Sequence, residues 1–264
     1  MKYLGKSSAL LAAVLMLQTG WAGRRAAEHD SAAFERTLAE IEMARKNFQR
    51  RLNKASCRQE KDAVRAEARQ YVVQAIVEKI IPAWLGVPWT MAVIDDGLQP
   101  NATVPFEAGK GISCSWFLVS VLRNAGLRFV SPRAFAGSIA VHFQYALSPR
   151  DADLHRFFHV TPSRLAEKIA SLGDGLYVIG LNCHIGFVHV AGDRVRILHS
   201  SYISPATVVI EPLIESPAVS ASQEAGYVVS PLFQDIRLID YWLTGNKVPF
   251  KRRPINRGGQ YGGM

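Results

Sequence analysis

Gly111-Ile-Ser-Cys-Ser-Trp-Phe-Leu-Val-Ser-Val-Leu-Arg-Asn-Ala-Gly126 is the stretch from which the rest of the chain can be read. Phe117, Val121 and Leu122, with Leu118 and Ala125, recur at helical spacing, so one face of a helix turns inward. Gly109 and Gly111 interrupt the chain upstream, and Gly126 stands where a C′ glycine would end the helix. Cys114 therefore falls at the helix N-terminus, with Ser113 as its N-cap. Unpaired N–H groups and the positive end of the helix dipole converge there, and both favour thiolate over thiol. That environment suits a nucleophile. The competing reading is a buried cysteine that acts as a small hydrophobe, and a base elsewhere in the chain has to decide between them.

Upstream, Phe34, Leu38, Ile41, Phe48 and Leu52 mark an amphipathic helix from about Asp30 to Leu52, with Arg45 interrupting the seam. Ser56-Cys-Arg-Gln59 reads as a capping box opening a second helix that Pro82 ends. Leu85-Gly-Val-Pro-Trp89 and the polar run Asp95 to Lys110 form a loop anchored by Trp84 and Trp89 that leads into the Cys114 helix. Downstream, a helix is expected over Ser138 to Leu147. Another starts at Thr161-Pro162, with Thr161 as N-cap and Pro162 at N1.

Beyond Gly175 the pattern becomes strand-like. The expected strands are Leu176 to Leu181, His184 to Val190, Val195 to His199, Thr207 to Ile210, Tyr227 to Ser230 and Phe233 to Ile239. Ser216 to Ala225 reads as a mobile polar loop between them. Helices followed by an antiparallel sheet make an α+β domain with an N-terminal helical extension. The expected divisions are a signal peptide at 1–22, a helical region at 23–70, the main domain at 71–246 and a basic disordered tail at 247–264.

The signal peptide rests on Lys2 and Lys6, the apolar run Ala9 to Leu17, and the small residues of Gly20-Trp-Ala22. An exported protein, periplasmic or secreted, follows from it. Removing Lys2 and Lys6 takes the formal net charge from +9 to +7, still basic. The basic residues are spread without a recognisable nucleic-acid module, so no nucleic-acid partner is expected. No later stretch is long enough to span a membrane. Cys57, Cys114 and Cys183 are three, an odd number. If Cys114 is the working thiol, Cys57–Cys183 is the one disulfide that spares it.

The base is sought among the strands. His184 opens one and alternates with Gly186, Val188 and Val190, while Cys183, Ile185, Phe187 and His189 face the other way. Glycine at 186 is expected to leave open space beside His184. His199 ends the next strand of an antiparallel pair, so it can lie beside His184 and hold its tautomer. His189, His142, His155 and His159 read as ordinary polar residues. A metal site on His184, His189 and His199 is disfavoured, because alternation sends His189 to the opposite face.

The order of these parts resembles the NlpC/P60 branch of the papain-like cysteine peptidases over about Tyr71 to Ser201. Leu85-Gly-Val-Pro-Trp89 is similar to that family's Leu-Gly-Thr-Pro-Tyr segment, and Ser113-Cys-Ser-Trp-Phe117 to its Asp-Cys-Ser-Gly-Phe helix start. Gly173-Asp-Gly-Leu-Tyr177, His184-Ile-Gly-Phe187 and Leu198-His-Ser-Ser201 follow in the family's order. The resemblance implies a papain-like fold with Cys114 as nucleophile, His184 as base and His199 as orienter, and no metal or organic cofactor. It implies hydrolysis of an amide bond, with peptidoglycan peptides as the expected substrate. Trp89, Ser113, Ser115 and Trp116 stand at or beside the motif positions as expected substrate contacts. Two departures are plain: Ser113 replaces the family's Asp, and Trp116 replaces its Gly. A papain-like hydrolase or acyltransferase on a substrate outside the wall, and an inactive wall- or partner-binding module, remain alternatives.

Overall fold

The computed structural model describes residues 30–91 and 101–254. The expected signal peptide, part of the polar loop after Trp89, and residues 255–264 of the expected tail lie outside the described residues. Helix α1 (Ser31–Lys54) buries Phe34, Ile41 and Arg45. Helix α2 (Arg58–Ala75) follows after a short turn. The capping box expected at Ser56 is shifted by one residue. Cys57 takes the N-cap position, and the carboxylate of Glu60 accepts from the Ser56 N–H at 2.7 Å and its hydroxyl at 3.0 Å. Glu60 stands at N3, where the acid of such a box belongs, and Gln59 does not.

Pro82 does not end this helix. The chain passes through a π-helical turn (Ile76–Ile80) into a last helical turn, α3 (Ile81–Trp84), with Pro82 inside it. The Ile81 N–H bonds to the Ile76 carbonyl, five residues back, which shifts the hydrogen-bond register just ahead of a residue with no N–H to give.

Helix α4 (Cys114–Asn124) is the quoted stretch, and it ends as its glycine requires. The Gly126 N–H bonds to the Arg123 carbonyl at 2.9 Å and the Leu127 N–H to the Leu122 carbonyl at 3.0 Å, with Gly126 at φ +98°. These are the two bonds of a Schellman cap. Strand β1 (Arg128–Phe129), α5 (Pro132–Ala136), α6 (Ala140–Leu147), β2 (His155–Phe157) and α7 (Pro162–Ala170) come next. The Thr161 hydroxyl caps α7 by accepting from the Arg164 N–H at 3.3 Å.

The sheet strands are β3 (Gly175–Leu181), β4 (His184–Ala191), β5 (Arg194–Ser200) and β6 (Val208–Pro212). After them come α8 (Pro217–Ser220), β7 (Tyr227–Pro231), α9 (Ile236–Thr244) and β8 (Lys247–Val248). Two expectations fail here. Ser216 to Ala225 holds α8 and buries Ser216, Ala218, Val219 and Ser222, because its small side chains pack closely instead of facing water. Phe233 to Ile239 is not a strand: Asp235 accepts from the Arg237 N–H at 2.8 Å and caps α9. Burial of Leu238, Ile239, Trp242 and Leu243 follows helical spacing, which shows only when the window extends past Ile239.

Six strands form one antiparallel sheet in the order β2-β7-β3-β4-β5-β6. Val178 lies opposite Phe187, Phe187 opposite Leu198, and His199 opposite Val209. One face carries Val178, Ile185, Phe187 and Leu198 into a core shared with α1, α2, α4 and α9. The other carries Tyr177, Ile179, Val188, Val190 and Ile197 against Leu165 and Ile169 of α7 and Val219 of α8. Covered on both sides, β3 needs apolar residues throughout, which is why it reads as an unbroken run and not an alternation. The architecture is α+β. No helix among the described residues is long and apolar enough to cross a membrane.

Candidate functional site

Cys114 is placed by a ladder of short contacts in front of α4. The Ile112 N–H donates to the Pro88 carbonyl at 2.9 Å, and the Thr90 N–H to the Ile112 carbonyl at 3.4 Å. The Ser200 hydroxyl of β5 donates to that same Ile112 carbonyl at 2.7 Å. The Leu85 to Trp89 segment also runs along β6, with the Trp89 N–H on the Ala206 carbonyl at 2.8 Å and the Val208 N–H on the Val87 carbonyl at 2.9 Å. Gly111 is required here, since a Cβ would stand 2.6 Å from the Pro88 carbonyl oxygen. The motif segments of the sequence thus fix the helix start against the edge strand of the sheet.

Ser113 holds the N-cap position with an extended backbone, but its hydroxyl makes no capping bond and is buried without a partner. Its N–H is bound instead by the Asn101 side-chain carbonyl at 2.7 Å. The other end of that amide, Nδ2, is buried with no acceptor. The Cys114 sulfur is faced by backbone N–H groups of Ile185, Ser115 and Cys114 itself. Burial nevertheless pushes the Cys114 thiol up, and those N–H groups only oppose the shift. The thiolate expected from the helix end is therefore not the resting form. Desolvation outweighs the terminal N–H groups.

His184 and His199 are brought together: His184 Nε2 lies 2.6 Å from His199 Nδ1, and both rings are buried. Gly186 does not leave open space. A Cβ there would stand 3.0 Å from the His199 Cβ, so the glycine is what lets His199 pack across the ladder. His199 Nε2 in turn lies 3.2 Å from Glu211 Oε1 on β6. Burial works to raise the Glu211 carboxyl, but the His199 ring and the Ser216 hydroxyl beside it carry it below its ordinary value.

The donor inventory orders this relay. A carboxylate only accepts, so His199 Nε2 carries a hydrogen toward Glu211. In the tautomer that places its one hydrogen there, His199 accepts at Nδ1 and His184 donates from Nε2. This leaves His184 Nδ1 as a bare lone pair, and that atom is buried with no partner. Burial, and then the neighbouring His199, lower His184 to about 3, so the ring stays neutral.

Cys114 packs against the buried cluster that holds Ile185 and Phe187, and His184 opens that strand one residue before Ile185. No hydrogen bond joins the thiol to His184, although the thiol faces the N–H of the next residue, Ile185. Of the expected substrate contacts, Trp89 is half-buried and its ring packs 6.5 Å from that of the exposed Tyr202. Tyr202 also packs edge-on to His184 at 5.2 Å. Ser115 is half-buried at the helix start and Ser113 is buried. Trp116 points into the core and is 6% exposed, so it offers no surface to a ligand. At the third residue of α4 the indole turns inward, whereas glycine there would leave a gap.

All three cysteines are free. Cys57 takes the N-cap position of α2, Cys183 sits at φ +54° in the β3–β4 turn, and no disulfide joins the two. His189 lies on the other face beside Arg196. No group of three His, Cys, Asp or Glu among the described residues is placed to hold a metal ion. Sequence reading missed Glu211, Asn101 and Tyr202. Glu211 had a signal, being the charge that continues the Thr207 to Ile210 strand on the His199 face. Asn101 had none, since its contact depends on the fold of a loop. The chain matches no protein-family model, no curated protein and no solved structure.

Proposed function

We propose that the protein is an exported cysteine hydrolase of papain-like, NlpC/P60-type design that cleaves an amide bond in peptidoglycan peptides. The observation that carries the reading is the His184–His199–Glu211 relay, which leaves one bare, buried imidazole nitrogen at the strand start beside the Cys114 helix. His184 Nδ1 takes the thiol proton as the sulfur attacks the carbonyl carbon. The Cys114 N–H and the free Asn101 Nδ2 donate to the oxyanion. The C–N bond then breaks, and His184 returns the proton to the leaving amine. Water, deprotonated by His184, clears the thioester and restores the thiol. A resting neutral pair fits general-base activation better than a preformed thiolate, and catalytic hydrogen bonds tighten when substrate binds.

A substrate outside the wall is the second reading. It draws on the aromatic pair of half-buried Trp89 and exposed Tyr202, the latter packed on His184. Digestion of purified wall fragments, with products weighed by mass spectrometry, tests the first reading. New amine and carboxylate ends are expected from the wild type and none from Cys114→Ala. Cleavage by Cys114→Ala would sink the mechanism. Intact fragments with a Cys114 that still alkylates rapidly would move the assignment to another acyl substrate.

A further inference from the structure

The end of α4 remote from Cys114 borders a cavity of about 580 Å³ that the hydrolase reading does not use. Its lining includes Arg123 and Asn124 from the last turn of α4, Arg128 from β1 and Lys247 from β8. Arg128 and Lys247 are direct partners in the parallel β1–β8 ladder. Both are exposed, while the next pair, Phe129 and Val248, is buried. Two cations are therefore held side by side on the open face, an arrangement that destabilises a ladder unless something of opposite charge lies between them.

No carboxylate among the described residues pairs directly with either cation. The side chains of Arg123, Arg128 and Lys247 make no ion pair or hydrogen bond among the described residues. One carboxylate, Glu42, reaches the rim and feels the charge of Arg128, but its oxygens are held by Arg45, which donates twice at 2.7 Å, and it lies 3.7 Å from Lys46. The Asn124 side-chain nitrogen is buried without an acceptor. Three cations and an idle donor from three elements surround a space large enough for a small ligand.

We propose that this cavity binds a phosphate group. A tetrahedral dianion offers separate oxygens to two guanidinium forks, an ammonium and an amide, whereas a planar monoanionic carboxylate occupies one fork. The proposal does not rest on the hydrolase reading, and its test reads no activity. Inorganic phosphate is titrated calorimetrically into the full chain at low, constant ionic strength. Saturable one-to-one binding is expected, weakened at least tenfold in Arg128→Gln/Lys247→Gln and in Asn124→Asp. Arg58→Gln, which removes one charge from an exposed site on α2, should leave it within twofold. Thermal melts in phosphate-free buffer check that each variant is folded, and Arg123→Gln replaces any that is not. No saturable binding, or equal weakening in Arg58→Gln, overturns the proposal. Glycerol phosphate and its short phosphodiester polymer identify the source. Tighter binding of the polymer at equal phosphate points to an anionic polymer, and equal binding to a free phosphate ester.

Discussion

At the scale of single residues the hydrolase reading gives the buried chain distinct roles. In that reading His184 accepts and returns a proton, while His199 and Glu211 only orient and polarise it. His184→Ala should therefore lower kcat/KM about 10³- to 10⁴-fold, as loss of a general base does. His199→Gln and Glu211→Gln should each keep measurable turnover, roughly tenfold down, because an amide oxygen or nitrogen can hold part of the chain. His184→Ala/His199→Ala should be little worse than His184→Ala, and His189→Ala nearly silent. A crippling His189→Ala with a mild His184→Ala would show that the wrong histidine had been assigned. The pH dependence carries its own sign. The folded state lowers His184 from its ordinary 6.5 to about 3, so protons favour unfolding. Its contribution to stability is complete above about pH 6.5 and falls as the pH drops from there toward 3. His184→Gln should flatten that part of the stability curve. An unchanged slope would mean that the buried imidazole is not the group being titrated. His184 and His199 were legible because alternation and hairpin length put both on one face. Glu211 went unseen because the strand was closed one residue early.

At the scale of elements, the helix that presents Cys114 is aimed by its neighbours and not by its own cap. Ser113 leaves its hydroxyl idle, and Asn101 binds its N–H from a loop. Asn101 has two jobs in this reading, an acceptor that positions and a donor to the oxyanion, and substitution separates them. Asn101→Asp keeps the acceptor and removes the donor, so kcat should fall about 10²- to 10³-fold with little change in melting temperature. Asn101→Ala removes both and should also lower the melting temperature. If Asn101→Asp retains full kcat, the second oxyanion donor lies elsewhere. The strands β3 to β5 and the ends of α4 and α7 were readable because each is set by local chemistry: apolar runs, Gly126, and Thr161 before a proline. Helix α9 was not. Ile236 and Leu238 alternate like a strand, and only the burial of Trp242 and Leu243 against α1 and α2 settles the period. The π turn before Pro82 was likewise beyond local reading, since a proline normally closes a helix.

At the scale of the whole molecule, the amino-terminal helices share the core of the site helix. Ile41, Ala68 and Val72 lie in the same buried cluster as Phe117 and Val121. The residue that broke the apolar seam of α1 is what ties them in. Arg45 is 5% exposed, and its Nη1 donates to the Trp242 and Leu243 carbonyls at 3.3 and 3.0 Å, the open end of α9. Gly126 and Gly245, which terminate α4 and α9, both pack on it: added Cβ atoms would stand 3.4 Å from its Cδ and 3.1 Å from its Nη1. One guanidinium thus closes one helix and lies beneath the ends of two. Arg45→Met keeps most of the apolar stem but leaves two buried carbonyls unpaired and Glu42 without its partner. Glu42 is partly exposed and regains water, so the cost falls mainly on the carbonyls and should be about 2–4 kcal/mol. Glu42→Gln alone should cost under about 1 kcal/mol, because Arg45 keeps its carbonyl acceptors. Arg45→Met/Glu42→Gln should recover little. Urea unfolding followed by tryptophan fluorescence and by far-ultraviolet dichroism measures all three. The two probes should move together to lower urea in Arg45→Met, as one cooperative transition. Separate transitions would show that α1 and α2 melt as an annex, and an unchanged midpoint would mean that the Arg45 contacts contribute nothing to the fold.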